Sequence, residues 1–222
     1  MQAKPLTRRL TGACLIGAPI LILAGLILTP YPPHSGTRSY HDTLAAHPTQ
    51  AQIAAIALEI GYVLLVPAVF GLIAHARPAS RWLRAPGAVL AVVGTAILPG
   101  LLVTDIYDLA LAQKLPRARS VAVADHTSSS LAAAIMSSPA LIGTVLGTTL
   151  LIAAAWRAGI APAWAAPLVL AGSLIARAQS LGPAILAGVV LLIAYGTVGR
   201  RLIQSDRHPV APPLPDPVPS AA

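Results

Sequence analysis

An ionisable side chain inside a long apolar run is costly to hold in lipid, so such residues mark the places where chemistry can occur. The chain has one of them, Glu59, followed three residues later on the same helical face by Tyr62. At 1.5 Å of rise per residue Glu59 stands roughly 13 Å below the nearer surface of its span. A carboxylate there can carry a proton, hold a cation, anchor a substrate or make a structural hydrogen bond to another helix. Asp105 and Asp108 are spaced i, i+3, so both face one side of a later span near its outer end. That pair could bind a divalent cation or could simply mark a solvated helix end. Arg177, near the outer end of a further span, is placed to neutralise either aspartate in an interhelical ion pair.

Four histidines, His34, His41, His47 and His126, fall on the same side as these aspartates, with Asp42 and Asp125 beside two of them. Imidazoles and carboxylates together can hold Zn²⁺ or Cu²⁺, but the spacing follows no metal motif, and plain loop residues are the competing explanation. No cofactor is expected; a divalent metal at these side chains is the one candidate. The single Cys14 excludes an intrachain disulfide and Cys-x-x-Cys chemistry. The chain contains no His-Glu-x-x-His, Walker, Gly-x-Gly-x-x-Gly or Gly-x-Ser-x-Gly motif, which removes the common hydrolase, nucleotide and dinucleotide chemistries.

The elements that must position these residues are set by composition. Of 222 residues 56% are hydrophobic and 10% charged, with a mean hydropathy of +0.75, whereas soluble domains carry about a quarter charged residues. Too few charges are present to cover a water-soluble globule. The expected fold is therefore all-α, a polytopic membrane helix bundle of about six transmembrane helices. The spans are 10–28, 50–76, 86–112, 138–155, 162–178 and 183–199, with a five-span or re-entrant variant left open because the fifth is the shortest. Polar loops are expected between 30 and 49 and between 113 and 137. The Pro-rich segment 206–222 reads as a disordered cytoplasmic tail. Pro19, Pro67, Pro99 and Pro167 lie inside spans and are expected to kink them. Gly143 and Gly147, spaced as Gly-x-x-x-Gly, allow close backbone approach, either within the chain or in a dimer.

The net charge of +8 could suggest a nucleic-acid partner. The basic residues instead cluster at the ends of the apolar runs, where they set topology and meet anionic headgroups, so no nucleic acid is expected. Lys and Arg number ten on the side of the two termini and five on the other, which favours both termini in the cytoplasm. The partners implied are the lipid bilayer and either further copies of the chain or another membrane protein.

The Arg/Ala-rich spans, the proline-bounded outer loop, the Glu59-Ile60-Gly61-Tyr62 segment and the basic turn from Arg77 to Arg84 give a layout that resembles small multi-pass actinobacterial membrane proteins of unknown function. The resemblance implies a bacterial cytoplasmic membrane and carries over no activity. Three functions remain: a small transport or permeation unit or accessory subunit using Glu59 and the outer polar ends; a membrane-embedded enzyme acting on a lipid or small molecule with Asp105 and Asp108 holding a metal; or a structural partner packing through Gly143 and Gly147.

Overall fold

The computed structural model describes residues 5–76, 81–178 and 180–204; the Pro-rich tail and part of the Arg77 to Arg84 turn lie outside them. The described residues form helices only. In chain order these are α1 (Pro5–Leu28), α2 (Thr37–Ala46), α3 (Pro48–His75), α4 (Arg81–Lys114), α5 (Arg117–Ser128), α6 (Leu131–Arg157), α7 (Ala165–Ile175) and α8 (Leu181–Gln204). Five of them, α1, α3, α4, α6 and α8, are long and apolar enough to cross a membrane.

The six apolar helices close into a ring in the order α1, α3, α4, α6, α7, α8 and back to α1, with α3 also touching α6 across it. Their inner faces share one core, in which Leu15, Val69, Ala91, Leu151, Val169 and Val198 are buried. The contacts fix the directions of the helices. Gly12 meets Gly199 and Gly188 meets Leu23, so α1 and α8 are antiparallel; Gly25 meets Leu58 and Gly71 meets Thr11, so α3 is antiparallel to α1. The start of α1 and the finish of α8 therefore share one end of the bundle, and α2 and α5 lie at the other.

Small residues decide how closely these helices approach. A Cβ on Gly147 would strike the Ala91 backbone nitrogen, one on Gly94 would strike that of Thr144, and one on Gly143 would come within 2.9 Å of the Gly94 Cα. The Gly143/Gly147 face is thus filled by α4, backbone on backbone, and is closed to a second protein. Close approach of this kind replaces the hydrophobic drive that lipid cannot supply between helices.

Three expectations from sequence need correction. The segment 162–178 is not one continuous helix: α7 has 11 residues, about 16 Å of helix against a hydrocarbon core of about 30 Å. Gly172 is level with Val190 and Leu191 of α8, so the chain must cover the rest of its rise to Leu181 outside α7. Ala176 to Ala178 do so in turns, with Arg177 N–H donating to Leu174 O and Ala178 N–H to Ile175 O. Gly159, at φ +76, breaks the chain after α6, and Pro183 favours a fresh helix start in the first turn of α8. Pro167 stands in the first turn of α7, where no intrahelical bond is lost.

Two loops, second, are largely helical. The 30–49 segment contains α2, which starts after Gly36 at φ +113, a backbone state that glycine adopts without penalty. The 113–137 segment contains α5 and the first turns of α6, whose N-cap Ser130 accepts a 3.1 Å hydrogen bond from Ala133 N–H. Third, α4 begins at Arg81 and runs through Pro86, because hydropathy marks the apolar part of a helix and misses its polar ends. One of those polar ends has work to do: Arg84 donates from Nη1 to Ala76 O at 3.0 Å, satisfying a carbonyl at the finish of α3.

Candidate functional site: an acidic cavity under two cap helices

α4 has 34 residues, about 51 Å of helix, so it outruns the bilayer core and presents its last turns as a wall. Asp105 and Asp108 stand on that wall. The i, i+3 spacing places both on the side toward α2, where Leu109 is buried with Leu44 of α2 and Ala51 of α3. α2 packs on α3, α4 and α5, and α5 packs on α2, α4 and α6, so the two short helices roof the bundle at this end.

Side-chain pairs clip the roof together. Thr37 donates to Asp125 Oδ1 at 2.5 Å, His41 Nδ1 pairs with Ser120 Oγ at 2.9 Å, and Arg117 forms an ion pair with Asp42. The order of partners, 37 with 125, 41 with 120 and 42 with 117, makes α2 and α5 antiparallel. The Arg117–Asp42 pair is half-exposed and adds at most about 1 kcal/mol; the buried His41–Ser120 bond is the stronger link.

Beneath the roof lies a cavity of about 510 Å³. Its chemically distinctive lining is Asp105, Asp108, Tyr40, His41, Thr37 and Tyr31, and among the described residues no Lys or Arg lines it. Tyr40 O–H donates to Asp105 Oδ1 at 3.3 Å. Burial first, and then the Asp105 and Asp108 carboxylates, push the Tyr40 phenol far above its ordinary range, so it stays protonated and remains a donor. Burial likewise pushes the Tyr31 phenol up. His41 is 2% exposed; its Nδ1 is held by Ser120, while Nε2 is buried without a hydrogen-bond partner.

Ser120, His41 and Asp108 share the side-chain types of a nucleophile, base and orienting acid. The geometry withholds that chemistry. Ser120 is 1% exposed and lies outside the cavity lining, so its hydroxyl cannot meet a substrate there. Its role is to fix the His41 ring.

The remaining residues singled out from sequence separate into other places. Arg177 is exposed in the turn after α7, which packs on α6 and α8 and has no contact with α4, and it is not part of the cavity with Asp105 and Asp108. His34 and His47 border a different hollow, on the outer side of α2 with Arg38. His126 is exposed on α5. Asp42 and Asp125, the carboxylates beside two histidines, are committed to Arg117 and Thr37. Among the described residues no three His, Cys, Asp or Glu side chains converge as a metal site, which corrects the expectation that His34, His41, His47 and His126 could share one. Glu59 lies outside the cavity, in a recess between α3 and α4, and Tyr62 packs on Ala18, Ile22 and Leu65, toward α1.

Tyr40, Thr37 and Ser120 are site residues that the sequence reading passed over. A signal was present: Tyr40, His41 and Leu44 fall on one face at i, i+1 and i+4, inside a segment read as loop.

A search of protein-family models, curated proteins and solved structures finds no match to this chain.

Proposed function

We propose that the protein is a small transport or permeation unit, or an accessory subunit of one, that takes a small cationic solute into the Asp105/Asp108 cavity. The observation that carries this reading is the cavity's charge. In a chain of net charge +8, a pocket lined by two carboxylates, a phenol donor and one imidazole, with no Lys or Arg among the described residues that line it, selects for positive charge. Its volume suits a small organic molecule, within the range of about 300–1,000 Å³ common for ligand pockets.

The protein's place is the bacterial cytoplasmic membrane, as a multi-pass protein with both termini in the cytoplasm and the cavity facing out. The supports are the apolar helices, the excess of Lys and Arg on the side of the termini and the shared end of α1 and α8.

The test is calorimetric titration of ethanolamine, choline and putrescine into the protein held in phosphatidylcholine nanodiscs. At least one binds, and Asp105→Asn or Asp108→Asn weakens it by about ten- to a hundredfold, the loss expected for one charge-assisted contact. Binding of none of them, or equal binding to both variants, removes the cationic reading. An enzyme reading instead requires turnover that depends on a metal bound by the aspartates.

A further inference from the structure

Glu59 presents a second problem, separate from the cavity. It stands on α3 in a recess of about 100 Å³ whose other walls are Ala55, Ile56 and Ile60 of α3 and Leu102, Val103 and Ile106 of α4. Every one of those walls is apolar. The Glu59 Oε2 atom is buried and has no hydrogen-bond partner. A carboxylate in such surroundings is costly without a donor or a cation beside it.

The direction from which a partner can come is set by the walls. Ile56, Ile60, Val103 and Ile106 are 54%, 47%, 37% and 45% exposed, so they form outward faces of the bundle and the recess opens sideways between α3 and α4. On a helix pair that crosses a membrane, sideways means into hydrocarbon. Leu102, Val103 and Ile106 flank Asp105 along α4 but face α3 and the outside, and the recess and the aspartate cavity share no lining residue.

We propose that this recess is a binding site for the ammonium head of an amphiphilic amine entering from the lipid phase. The carboxylate supplies the counter-charge, the aliphatic walls accept methyl or methylene groups around the nitrogen, and the volume holds on the order of three water-sized groups, enough for a head but not for a bulky ion. The alkyl chain lies outward along Ile56, Ile60, Val103 and Ile106. The site goes beyond the cavity reading and stands independently of it.

The experiment uses the wild-type protein in phosphatidylcholine nanodiscs and a lipid-soluble carbodiimide, dicyclohexylcarbodiimide, which modifies carboxyl groups reachable from the hydrocarbon. Peptide mass spectrometry reads the modification at Glu59. Dodecyltrimethylammonium, which has no nucleophilic nitrogen, is the probe. The expected result is that Glu59 is modified in its absence, that modification is lost when it is added, and that uncharged dodecanol gives no protection. Absence of modification from the start, no protection by the probe, or equal protection by dodecanol overturns the proposal. Protection that arises without the probe when each disc carries two copies assigns the recess to a second copy and also overturns it.

A second measurement is native mass spectrometry, in which Glu59→Gln loses the retained dodecyltrimethylammonium and the Asp105→Asn/Asp108→Asn double variant keeps it. Equal retention by Glu59→Gln and the wild type overturns the assignment. Because small-cation binding is read at the aspartate variants and dodecyltrimethylammonium retention at Glu59→Gln, failure of one site is distinguishable from failure of the other.

Discussion

His41 shows how one side chain joins architecture to chemistry. Its Nδ1 bond to Ser120 ties α2 to α5, and the residue belongs to the lining of the aspartate cavity. Ser120→Ala removes the side-chain hydrogen bond that holds the ring and leaves both imidazole nitrogens without a hydrogen-bond partner among the described residues. The expected cost is about 1–3 kcal/mol of local stability, seen as faster hydrogen exchange confined to α2 and α5, with the other helices unchanged. Exchange that rises equally in α4 and α6 would show that the roof and the bundle unfold as one unit. Asp105 and Asp108 were legible as a pair from their spacing, because i, i+3 positions share a face in any helix. Their partner Tyr40 was not, because its bond to Asp105 joins residues 65 positions apart.

At the scale of the element, glycine position outweighs glycine number. Gly147 and Gly182 are both helical, yet a Cβ on Gly147 meets the backbone of α4 and a Cβ on Gly182 meets nothing within 4 Å. Gly147→Leu is therefore expected to separate α4 from α6 at a cost of at least about 1–3 kcal/mol, since backbone cannot rotate away as a side chain can. Gly182→Leu is expected to leave stability unchanged within about 0.5 kcal/mol. Thermal denaturation of the two variants in mild detergent checks both expectations, and equal midpoints would count against the α4–α6 packing. The same element explains why the sequence reading of 162–178 overran. Hydropathy counts apolar residues whether or not they continue a helix, and Ala176 and Ala178, on either side of Arg177, stand in turns after α7.

For the whole molecule, the ring of six apolar helices makes a prediction about sides. Ser35 and Ser129 are exposed near the cavity, and Gln204 is exposed at the finish of α8, by the opposite end. In a Cys14→Ser background, single cysteines at 35 and 129 are expected to react alike with a membrane-impermeant maleimide applied to intact cells. A cysteine at 204 is expected to react only after lysis. A shared response of all three positions would break the arrangement, and reaction at 204 alone would invert it. The half-length α7 is what makes this test informative. If residues 160–180 did not complete a crossing, position 204 would fall on the same side as 35 and 129.

Composition alone pointed to a membrane protein, because mean hydropathy is a property of the chain that no arrangement can change, and the structure supplies five helices apolar enough to cross one. Periodicity determined which aspartates act together and which glycines face one way, since both follow from 3.6 residues per turn. Only the tertiary structure decided that α2 and α5 are helices folded over a cavity, that Arg177 stands apart from the aspartates, and that Glu59 opens sideways between α3 and α4. Each of those outcomes depends on residues distant in sequence meeting in space: a short polar helix gains its stability from the surface it docks on, and a carboxylate's surroundings are supplied by its neighbours.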